Sequence, residues 1–457
     1  MHEFDARASR DCRADLKNSF RQISGSICAP RGFRCAAVFC DIKKLGTGKG
    51  SEKGRKDDLA LIASDVPAAV AGMFTTNQVC AAPVKISRRL VAQKSGQAIV
   101  VNSGNANAAT GRQGLRDAAA MTKLTAAALQ KLDCLKQSSF SGPKIAANGV
   151  LVCSTGRIGV PMPMQNVAHG IRACAPRLAR SRSNAQQVAE AIMTTDTRRK
   201  EIAIEIKIGR SAVRIGGICK GAGMIQPGLA TMLAFITTDA AIEATALRHA
   251  LRMAVEQSFN RITVDGDMST NDSVIILANG CAKNSLLVTH HPSFVTFQSA
   301  LNHVCLELAK MIVRDGEGTS RVVTLRVHRA RNDREAEAAA RAIANSSLVR
   351  SSWCGGDPNW GRILCALGYS RARIDEAVVD VGYAPTDSSK ILFAFRRGRP
   401  TNVALKALAK ITSEPEFDLH VALNRGRAEF VLYAADLTEE YVAFNQGDVN
   451  DPITLGG

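Results

Sequence analysis

KGAGMIQPGLATMLAFITTD, residues 220–239, is the stretch of this chain that decides the fold. A glycine-rich loop leads into the turn-forming pair Pro227-Gly228, and a nearly pure apolar segment follows. Apolar segments of this length between turn signals are typical of buried strands. The first residue of the segment, Thr231, brings a hydroxyl to the mouth of the predicted strand, where a nucleophile can sit. On this stretch alone, the more ordinary interpretation is a β-branched residue that begins a core strand.

The regions around this stretch predict further strands and helices. Isoleucines at every second position from Ile202 to Ile208 predict a half-buried strand, and Gly209-Arg210 turns the chain into a second one. Helical spacing of apolar residues covers 242–259 and the segment after Ser293, which we expect to cap its helix. Strands are predicted again at 273–278, 322–329, 376–381, 418–423 and 429–433. Because strands and helices come in runs, the pattern favours a layered α+β fold over a doubly wound one.

Composition sets limits on the class of protein. The 457 residues are 46% hydrophobic and 22% charged, the balance of a globular protein, and no apolar run approaches the roughly 20 residues that span a bilayer. A net charge of +18 suggests nucleic-acid binding, but the basic residues are dispersed and aromatics make up only 5%. A solvated basic surface that attracts small acidic substrates is the better interpretation.

Cysteine and histidine usage points to a reducing compartment without a metal site. The 13 cysteines are odd in number and form no CxxC pair, so we expect buried free thiols. The eight histidines form no metal-binding pattern. Residues 1–28 are predicted to be a tail; it lacks the apolar core of a secretory signal and carries more acidic residues than a usual mitochondrial presequence. We expect a cytoplasmic protein, with the mitochondrial matrix as the alternative.

If Thr231 is a nucleophile, it needs a base, because a threonine hydroxyl is unreactive at neutral pH. No Ser-His-Asp set is evident. Cleavage of the Ala230–Thr231 peptide bond would supply the missing base. In this reaction the Thr231 hydroxyl attacks the Ala230 carbonyl, the acyl group shifts from N to O, and water releases it. Thr231 then carries a free α-amino group, whose pKa of about 7.7–8.0 suits a general base.

Three other positions are candidates for the chemistry. Ser154-Thr155-Gly156, at the end of a predicted strand, can form an oxyanion hole, or else a simple strand-ending turn. Lys220 is the cation nearest to Thr231 in sequence and can bind a carboxylate, or else lie on the surface. Glu317, within Asp315–Gly318, can hold an amine, or else belong to a turn that ends a helix.

These segments together resemble the glutamate N-acetyltransferases, also called ornithine acetyltransferases, of arginine biosynthesis. The resemblance runs from about Ala29 to Tyr441. Its motifs, in chain order, are FTTN (74–77), VNSGNANAATG (101–111), STGRIG (154–159), TTDT (194–197), KGAGM (220–224), ATMLAFITTDA (230–240), FNRITVDGDMSTND (259–272), DGEG (315–318) and DPNWGRI (357–363). Each short motif alone is weak, but the ordered set is highly specific.

The resemblance implies a fold and a set of site residues. The family fold is a layered α-β-β-α sandwich, of the type shared with N-terminal-nucleophile aminopeptidases. Self-cleavage would give an α-chain region, 29–230, and a β-chain region, 231–457, with Thr231 as the nucleophile and Thr155 and Gly156 in the oxyanion hole. The implied substrate contacts are Thr194, Lys220, Thr231, Glu317, Asn445 and Asn450. At position 450 the family has Thr or Ser, and the sequence FNQGDVND departs from its usual tail.

The resemblance also implies a ping-pong reaction. N2-acetylornithine acetylates Thr231 and ornithine leaves; L-glutamate then takes the acetyl group to become N-acetylglutamate. No cofactor, metal, nucleic acid or membrane is implied. Use of acetyl-CoA as a second acetyl donor stays open. The two fragments are expected to assemble as a heterotetramer of two α and two β chains.

Two other functions remain as alternatives. A hydrolase or aminopeptidase of related fold would use the same threonine but release its acyl group to water. A basic nucleic-acid-binding protein would show salt-sensitive binding of DNA or RNA. The acetyltransferase motifs favour neither of these.

Overall fold

The computed structural model describes residues 20–43, 56–134, 145–226 and 232–446. Ala230, Thr231 and Asn450 fall outside this part of the chain. None of the helices within these ranges is long and apolar enough to cross a membrane.

The described chain contains two sheets and the helices that cover them. The strands are β1 (Phe20–Gln22), β2 (Phe33–Val38), β3 (Leu59–Phe74), β4 (Ser95–Asn105), β5 (Val150–Arg157), β6 (Lys200–Ile208), β7 (Ser211–Lys220), β8 (Leu233–Thr238), β9 (Ile262–Thr263), β10 (Ser273–Ala278), β11 (Val322–Ala330), β12 (Asp380–Pro385), β13 (Leu392–Arg396), β14 (Arg399–Pro400), β15 (Glu416–Ala422) and β16 (Ala428–Ala435). The helices are α1 (Ala82–Val91), α2 (Gly111–Cys134), α3 (Met164–Cys174), α4 (Arg182–Ala191), α5 (Ala244–Glu256), α6 (Phe294–Arg314), α7 (Asp333–Ala344), α8 (Ser347–Cys354), α9 (Trp360–Gly368), α10 (Leu405–Thr412) and α11 (Glu439–Phe444).

The first sheet has nine strands in the order β1-β6-β7-β8-β10-β3-β4-β5, with β2 paired to β3. The long strand β3 joins its two halves: its beginning pairs with β2 and β4, and its end pairs with β10. The register to β4 shifts between Ala63 and Ala68, around Pro67. Proline cannot donate a ladder hydrogen bond and is typical of such irregularities. The break lets the two halves turn toward each other.

Side-chain alternation shows how the layers pack. Successive residues of a strand point to opposite faces. In β8, Phe235 points to a core that it shares with Ile62 and Ile99 of the other half, whereas Ile236 points to the core formed with α5 and α6. The outer face of the β2–β5 half packs against α1, α2 and α3. The order helix, sheet, sheet, helix confirms the predicted layered α+β sandwich.

The second sheet has seven strands in the order β14-β13-β12-β15-β11-β16-β9. One face packs on α7, α8, α9 and α10 around a core that includes Trp353, Tyr383 and Phe417. The short strand β9, which pairs with β16, leads directly toward the polar segment 264–272. This unit therefore supports the loop that reaches the first sheet.

Several predicted boundaries are corrected. Residues 20–28, assigned to the tail, form β1, which pairs with β6, and a buried 3-10 turn at Ser26–Cys28. Ser293 precedes α6 but its side chain makes no capping hydrogen bond. Residues 376–378 form a 3-10 turn, and the strand predicted there begins at Asp380. The hairpin of β6 and β7 and the strand at 273–278 are as predicted.

Candidate active site

The first described residue after the proposed nucleophile is held firmly in the sheet. Met232 is 1% exposed. Its amide donates to Oδ1 of Asp272 at 3.0 Å, and its carbonyl accepts from the amide of Ser273 at 3.1 Å. β8 then continues between β7 and β10 with every residue buried. The prediction of a buried strand behind Thr231 is confirmed.

The segment just before β10 links Met232, the residue after the candidate nucleophile, to the strand that carries the candidate oxyanion hole. Asn271 Nδ2 donates to the carbonyl of Ser154 at 2.8 Å and to that of Ala106 at 2.7 Å. The next residue, Asp272, holds the amide of Met232. Two adjacent residues therefore tie the end of β5 to the beginning of β8, although these strands are separated by three others in the sheet order.

Thr155 and Gly156 lie inside β5, so the alternative of a strand-ending turn is wrong. Gly156 pairs with Gly104 of β4 and has φ of 129°, a conformation that L side chains rarely adopt. A Cβ at Gly156 would overlap the backbone of Gly104 and Asn105. Thr155 is 3% exposed. The backbones of β4 and β5 therefore approach each other so closely at Gly156 that only glycine fits there.

Lys220 is buried at the end of β7, so the alternative of a surface lysine is also wrong. Its Nζ lies 3.9 Å from Oδ2 of Asp196, which is itself fully buried at the side chain. Asp196 also accepts from Lys200 Nζ at 2.6 Å and from the amides of Gly221 at 2.7 Å and Thr194 at 3.0 Å. One carboxylate thus joins the two predicted substrate contacts Thr194 and Lys220.

Burial and neighbouring charges shift the pKa values of this cluster in opposite directions. Burial lowers the pKa of Lys220, and the nearby Asp196 opposes this shift. Burial acts to raise the pKa of Asp196, but Lys220 and Lys200 outweigh it and leave that pKa below its usual value. Burial acts to lower the pKa of Lys200, but Asp196 and Asp315, whose Oδ2 is 2.5 Å from Lys200 Nζ, leave it raised. Asp196 is therefore ionised, and of the two lysines beside it Lys220 makes the longer contact, 3.9 Å against 2.6 Å for Lys200.

Glu317 packs against the glycine-rich loop that begins at Lys220. Its amide donates to the carbonyl of Ala222 at 2.9 Å, and a Cβ at Gly223 would come within 2.6 Å of its carboxylate. Asn445 Nδ2 donates to Glu317 Oε2 at 3.1 Å. The charge of Glu317 acts on Lys220, as does that of Asp272. Lys220 therefore lies within electrostatic reach of both the candidate amine-binding group and the residue that holds Met232.

A second carboxylate, that of Asp265, shapes the same loop. It accepts from the amides of Met224 at 2.5 Å and Ile225 at 2.8 Å, and Tyr441 Oη lies 3.4 Å away. The amide of Val264 donates to the carbonyl of Ile225 at 2.9 Å. The loop between Lys220 and residue 226 is thus fixed to the segment that follows β9.

A cavity of about 510 Å³ opens beside Asp196. Thr194 lines it together with Gly104, the partner of Gly156, and with basic residues that include Arg198. The buried Lys43 also lines it, and burial lowers the pKa of Lys43 to about 8. Cavities of this size hold small-molecule ligands. Among the described residues, no three His, Cys, Asp or Glu side chains are grouped as ligands for a metal ion.

Most predicted site residues converge, and four unpredicted ones connect them. Thr155, Gly156, Thr194, Lys220, Glu317 and Asn445 all lie in or next to this network. The connecting residues are Asp196, Asp265, Asn271 and Asp272, and each belongs to a segment that carries the family resemblance. The available signal for the last two was an Asn-Asp pair directly before a predicted buried strand.

Comparison with known proteins identifies the family. The ArgJ family model matches residues 36–447. The chain belongs to the ArgJ family. Among the relatives of this ArgJ member, the arginine biosynthesis bifunctional protein ArgJ of Symbiobacterium thermophilum is 45% identical over 423 residues, which cover 93% of this chain and 98% of the relative. The protein of the same name from Shouchella clausii is 41% identical over 431 residues, which cover 94% of this chain and 97% of the relative.

Solved structures of ArgJ proteins also match. The arginine biosynthesis bifunctional protein ArgJ of Bacillus halodurans is 37% identical with a TM-score of 0.44; the match covers 46% of this chain and 97% of that one. The ornithine acetyltransferase of Mycobacterium tuberculosis, solved in complex with ornithine, is 32% identical with a TM-score of 0.39. The match covers 46% of this chain and 98% of that one. The family resemblance seen in the sequence is confirmed.

Proposed function

We propose that this ArgJ family member is an acetyltransferase of arginine biosynthesis, which moves an acetyl group from N2-acetylornithine to L-glutamate through an acetyl ester on Thr231. The relatives are named arginine biosynthesis bifunctional proteins, and one was solved with ornithine. The observation that carries the proposal is the pair Asn271 and Asp272, which links the candidate oxyanion hole to the residue after Thr231.

We infer that the nucleophile arises by cleavage of the Ala230–Thr231 bond. The first sheet supports this arrangement, because β8 lies between β7, which precedes the bond, and β10, which follows it. Two fragments cut at this bond would still share one sheet and its cores. Separating them would break two strand pairings, so they would stay associated as an α and a β chain. A heterotetramer of two such pairs is the proposed assembly.

In each half-reaction the same groups act. The Thr231 hydroxyl attacks the acetyl carbonyl, its α-amine takes the proton, and the developing oxyanion is stabilised at Thr155 and Gly156. The C–N bond of acetylornithine breaks and the proton passes to the departing ornithine amine. The amine of glutamate then attacks the ester, and its proton returns to the Thr231 oxygen. One base and one oxyanion hole thus serve both steps.

The charges of the site suit an α-amino acid. We assign the α-carboxylate to Lys220, whose Nζ is the buried cation 3.9 Å from the shared Asp196. Glu317 and Asn445, already 3.1 Å apart, would hold the amine, and Thr194 would line the path at the cavity. Both substrates have an α-carboxylate and an α-nitrogen, which is acetylated in N2-acetylornithine and free in glutamate, so one set of contacts positions both. Asn450 stays a prediction for the same contact set.

An intact-mass measurement combined with a transfer assay tests the proposal. We expect two fragments, Met1–Ala230 and Thr231–Gly457, and transfer of acetyl from N2-acetylornithine to glutamate. Thr231→Ala should remain a single chain of 48.7 kDa without transfer activity. Thr231→Ser, which keeps a hydroxyl, should still be cleaved. Full-length wild-type protein that is nevertheless active would refute the threonine mechanism, and release of acetate in place of transfer would identify a hydrolase.

A further inference from the structure

A second cleft, larger than the cavity beside Asp196, lies on the helical side of the second sheet. It has a volume of about 810 Å³ and runs along α7, with the loop that follows α9 on its other side. Five arginines line it against only two glutamates, Glu335 and Glu337. The arginines are Arg331, Arg334, Arg341, Arg371 and Arg373. None of the reactions assigned above uses these side chains.

Four of the five arginines have no partner of opposite charge. Arg341 is engaged, because its Nε donates to Glu337 Oε1 at 2.8 Å. Across the described ranges, Arg331, Arg334, Arg371 and Arg373 make neither an ion pair nor a side-chain hydrogen bond. Cations held along one concave wall repel one another and attract anions. Guanidinium groups match phosphate oxygens by paired hydrogen bonds, so a ligand with several phosphates fits this wall best.

An aromatic ring stands in the same wall. Tyr369 lines the cleft and is 61% exposed, which is unusual for a large side chain of this kind. Exposed aromatic rings next to arginines are the standard surface for stacking a nucleobase. The combination of paired-phosphate donors and a free ring indicates a phosphorylated nucleotide.

The cleft ends at the loop of the reaction site. Gln226 lines it, and Asn345, which directly follows α7, donates to Gln226 Oε1 at 3.1 Å. Gln226 belongs to the loop that begins at Lys220 and is fixed by Asp265. Six residues span at most about 20 Å, so the end of the cleft and Lys220 lie within that distance. A nucleotide with a long flexible arm can occupy the cleft and reach the site.

We propose that this arginine cleft binds the nucleotide end of acetyl-CoA, with the phosphates on Arg371 and Arg373, the adenine on Tyr369 and the thioester arm directed past Gln226. This rests on the proposed function and locates a second acetyl donor for the same nucleophile. The acetyl C–S bond breaks as the Thr231 oxygen forms its ester, and the hydroxyl proton ends on the sulfur of the released CoA. Glutamate then takes the acetyl group as in the first reaction.

Binding and kinetics on the purified enzyme, as it is after any self-cleavage, test the proposal. In Arg371→Ala/Arg373→Ala, we expect CoA to bind about tenfold more weakly or worse by calorimetry, with a matching rise in KM for acetyl-CoA, because two charge-assisted phosphate contacts are lost. The matched control is Arg397→Ala/Arg399→Ala, which removes two exposed arginines that do not line the cleft. Tyr369→Phe should keep CoA affinity and Tyr369→Ala should lower it. Thermal melts of all variants check folding.

The outcomes separate this proposal from the proposed function. Equal CoA affinity in the cleft variant and its control, or no CoA binding to the wild type, overturns the inference. ATP that binds in the cleft as tightly as CoA, without acetyl-CoA serving as donor, would make it a site for a free nucleotide and overturn the coenzyme assignment. Transfer from N2-acetylornithine is measured in parallel; its absence in the wild type would refute the proposed function, while CoA binding still decides the cleft.

Discussion

Met232 and Asp272 form a hydrogen bond of 3.0 Å between a backbone amide and a fully buried carboxylate. The amide belongs to the peptide bond that joins Met232 to Thr231, so Asp272 holds the residue that directly follows the proposed nucleophile. The other oxygen of Asp272 has no hydrogen-bond partner among the described residues. Burial raises the pKa of Asp272 well above its usual value, and the Met232 amide opposes that shift. We therefore propose that Asp272 is a positioning residue for the proposed self-cleavage and transfer.

Removal of this carboxylate should slow self-cleavage. In Asp272→Ala the Met232 amide is buried without an acceptor, which costs about 1–3 kcal/mol and frees the cleavage site to move. We expect uncleaved 48.7 kDa chain to accumulate in a denaturing-gel time course. Asp272→Asn keeps an acceptor oxygen and should be cleaved faster than the alanine variant.

The matched control for this experiment is Asp380→Ala. Asp380 is another buried aspartate that accepts a backbone amide, that of Arg397 at 2.8 Å, but it lies in the second sheet. A loss of stability alone would affect both alanine variants equally. Cleavage of Asp272→Ala at the wild-type rate would contradict the positioning role.

Substitution of Lys220 should weaken binding of both amino-acid substrates. Lys220→Met removes the buried cation assigned to the α-carboxylate, while Asp196 keeps its 2.6 Å contact with Lys200. A charge-assisted hydrogen bond contributes about 1.5–3 kcal/mol, so KM for acetylornithine and for glutamate should rise roughly 10- to 100-fold. Steady-state kinetics measure this change. Lys207→Met, on the exposed face of β6, is the control, and an unchanged KM in Lys220→Met would refute the assignment.

Binding should also weaken at alkaline pH. Only protonated Lys220 attracts a carboxylate, and burial lowers its pKa below the ordinary value. KM for glutamate should therefore rise with pH before an unperturbed lysine, with a pKa of about 10.4, would lose its proton. A pH profile of kcat/KM for the second half-reaction measures this effect. A profile that is flat on the alkaline side up to that value would contradict the shift.

Asp196 should make the thermal stability of the protein depend on pH in the acidic range. Its pKa in the folded protein is lowered, so its contribution is complete above the unfolded-state pKa of about 3.9 and is lost as the pH falls toward the folded value. Lys200 acts in the alkaline range. Its pKa is raised in the folded protein, so its contribution to stability is lost only as the pH rises through that folded-state pKa. Between about pH 5 and pH 2, thermal midpoints should fall more steeply for wild type than for Asp196→Asn. Parallel curves would rule out this role.

The sequence predicted the individual site residues better than their contacts. Lys220 and Thr155 could be proposed from loop and strand ends, because chemistry of that kind needs rigid strand termini. Asp196 could not, since its contact with Lys220, at a separation of 24 residues, depends on how β6 and β7 pair. Asn271 reaches Ser154 over a separation of 117 residues. Such contacts follow from the turn of the nine-stranded sheet on itself, which no local pattern records.

The same reason explains the error at the N-terminus. Residues 20–28 follow a strongly charged stretch, 1–19, and by sequence are grouped with it as a tail. Phe20 nevertheless pairs with Ile206 at the edge of the first sheet, and Ile27 is buried in the core between the two halves. An edge strand of three residues is stabilised by backbone hydrogen bonds to its neighbour, so its own composition carries little signal. Periodicity succeeded for β6 and β7 because those strands are long and half-buried.

Gly156→Ala should abolish transfer, with a larger loss of stability than glycine replacement at a comparable turn. The new Cβ would overlap the backbone of Gly104 and Asn105, and φ of 129° is unfavourable for alanine, so β4 and β5 must separate where the oxyanion hole is formed. We expect a cost of about 2–4 kcal/mol from overpacking and backbone strain together. The control is Gly159→Ala, which has φ of 80° but open space around its Cβ position and should cost only about 1 kcal/mol. Thermal melts and the acetylornithine assay measure both effects. If Gly156→Ala loses no more stability than Gly159→Ala and stays active, the close approach of β4 and β5 is not needed for catalysis.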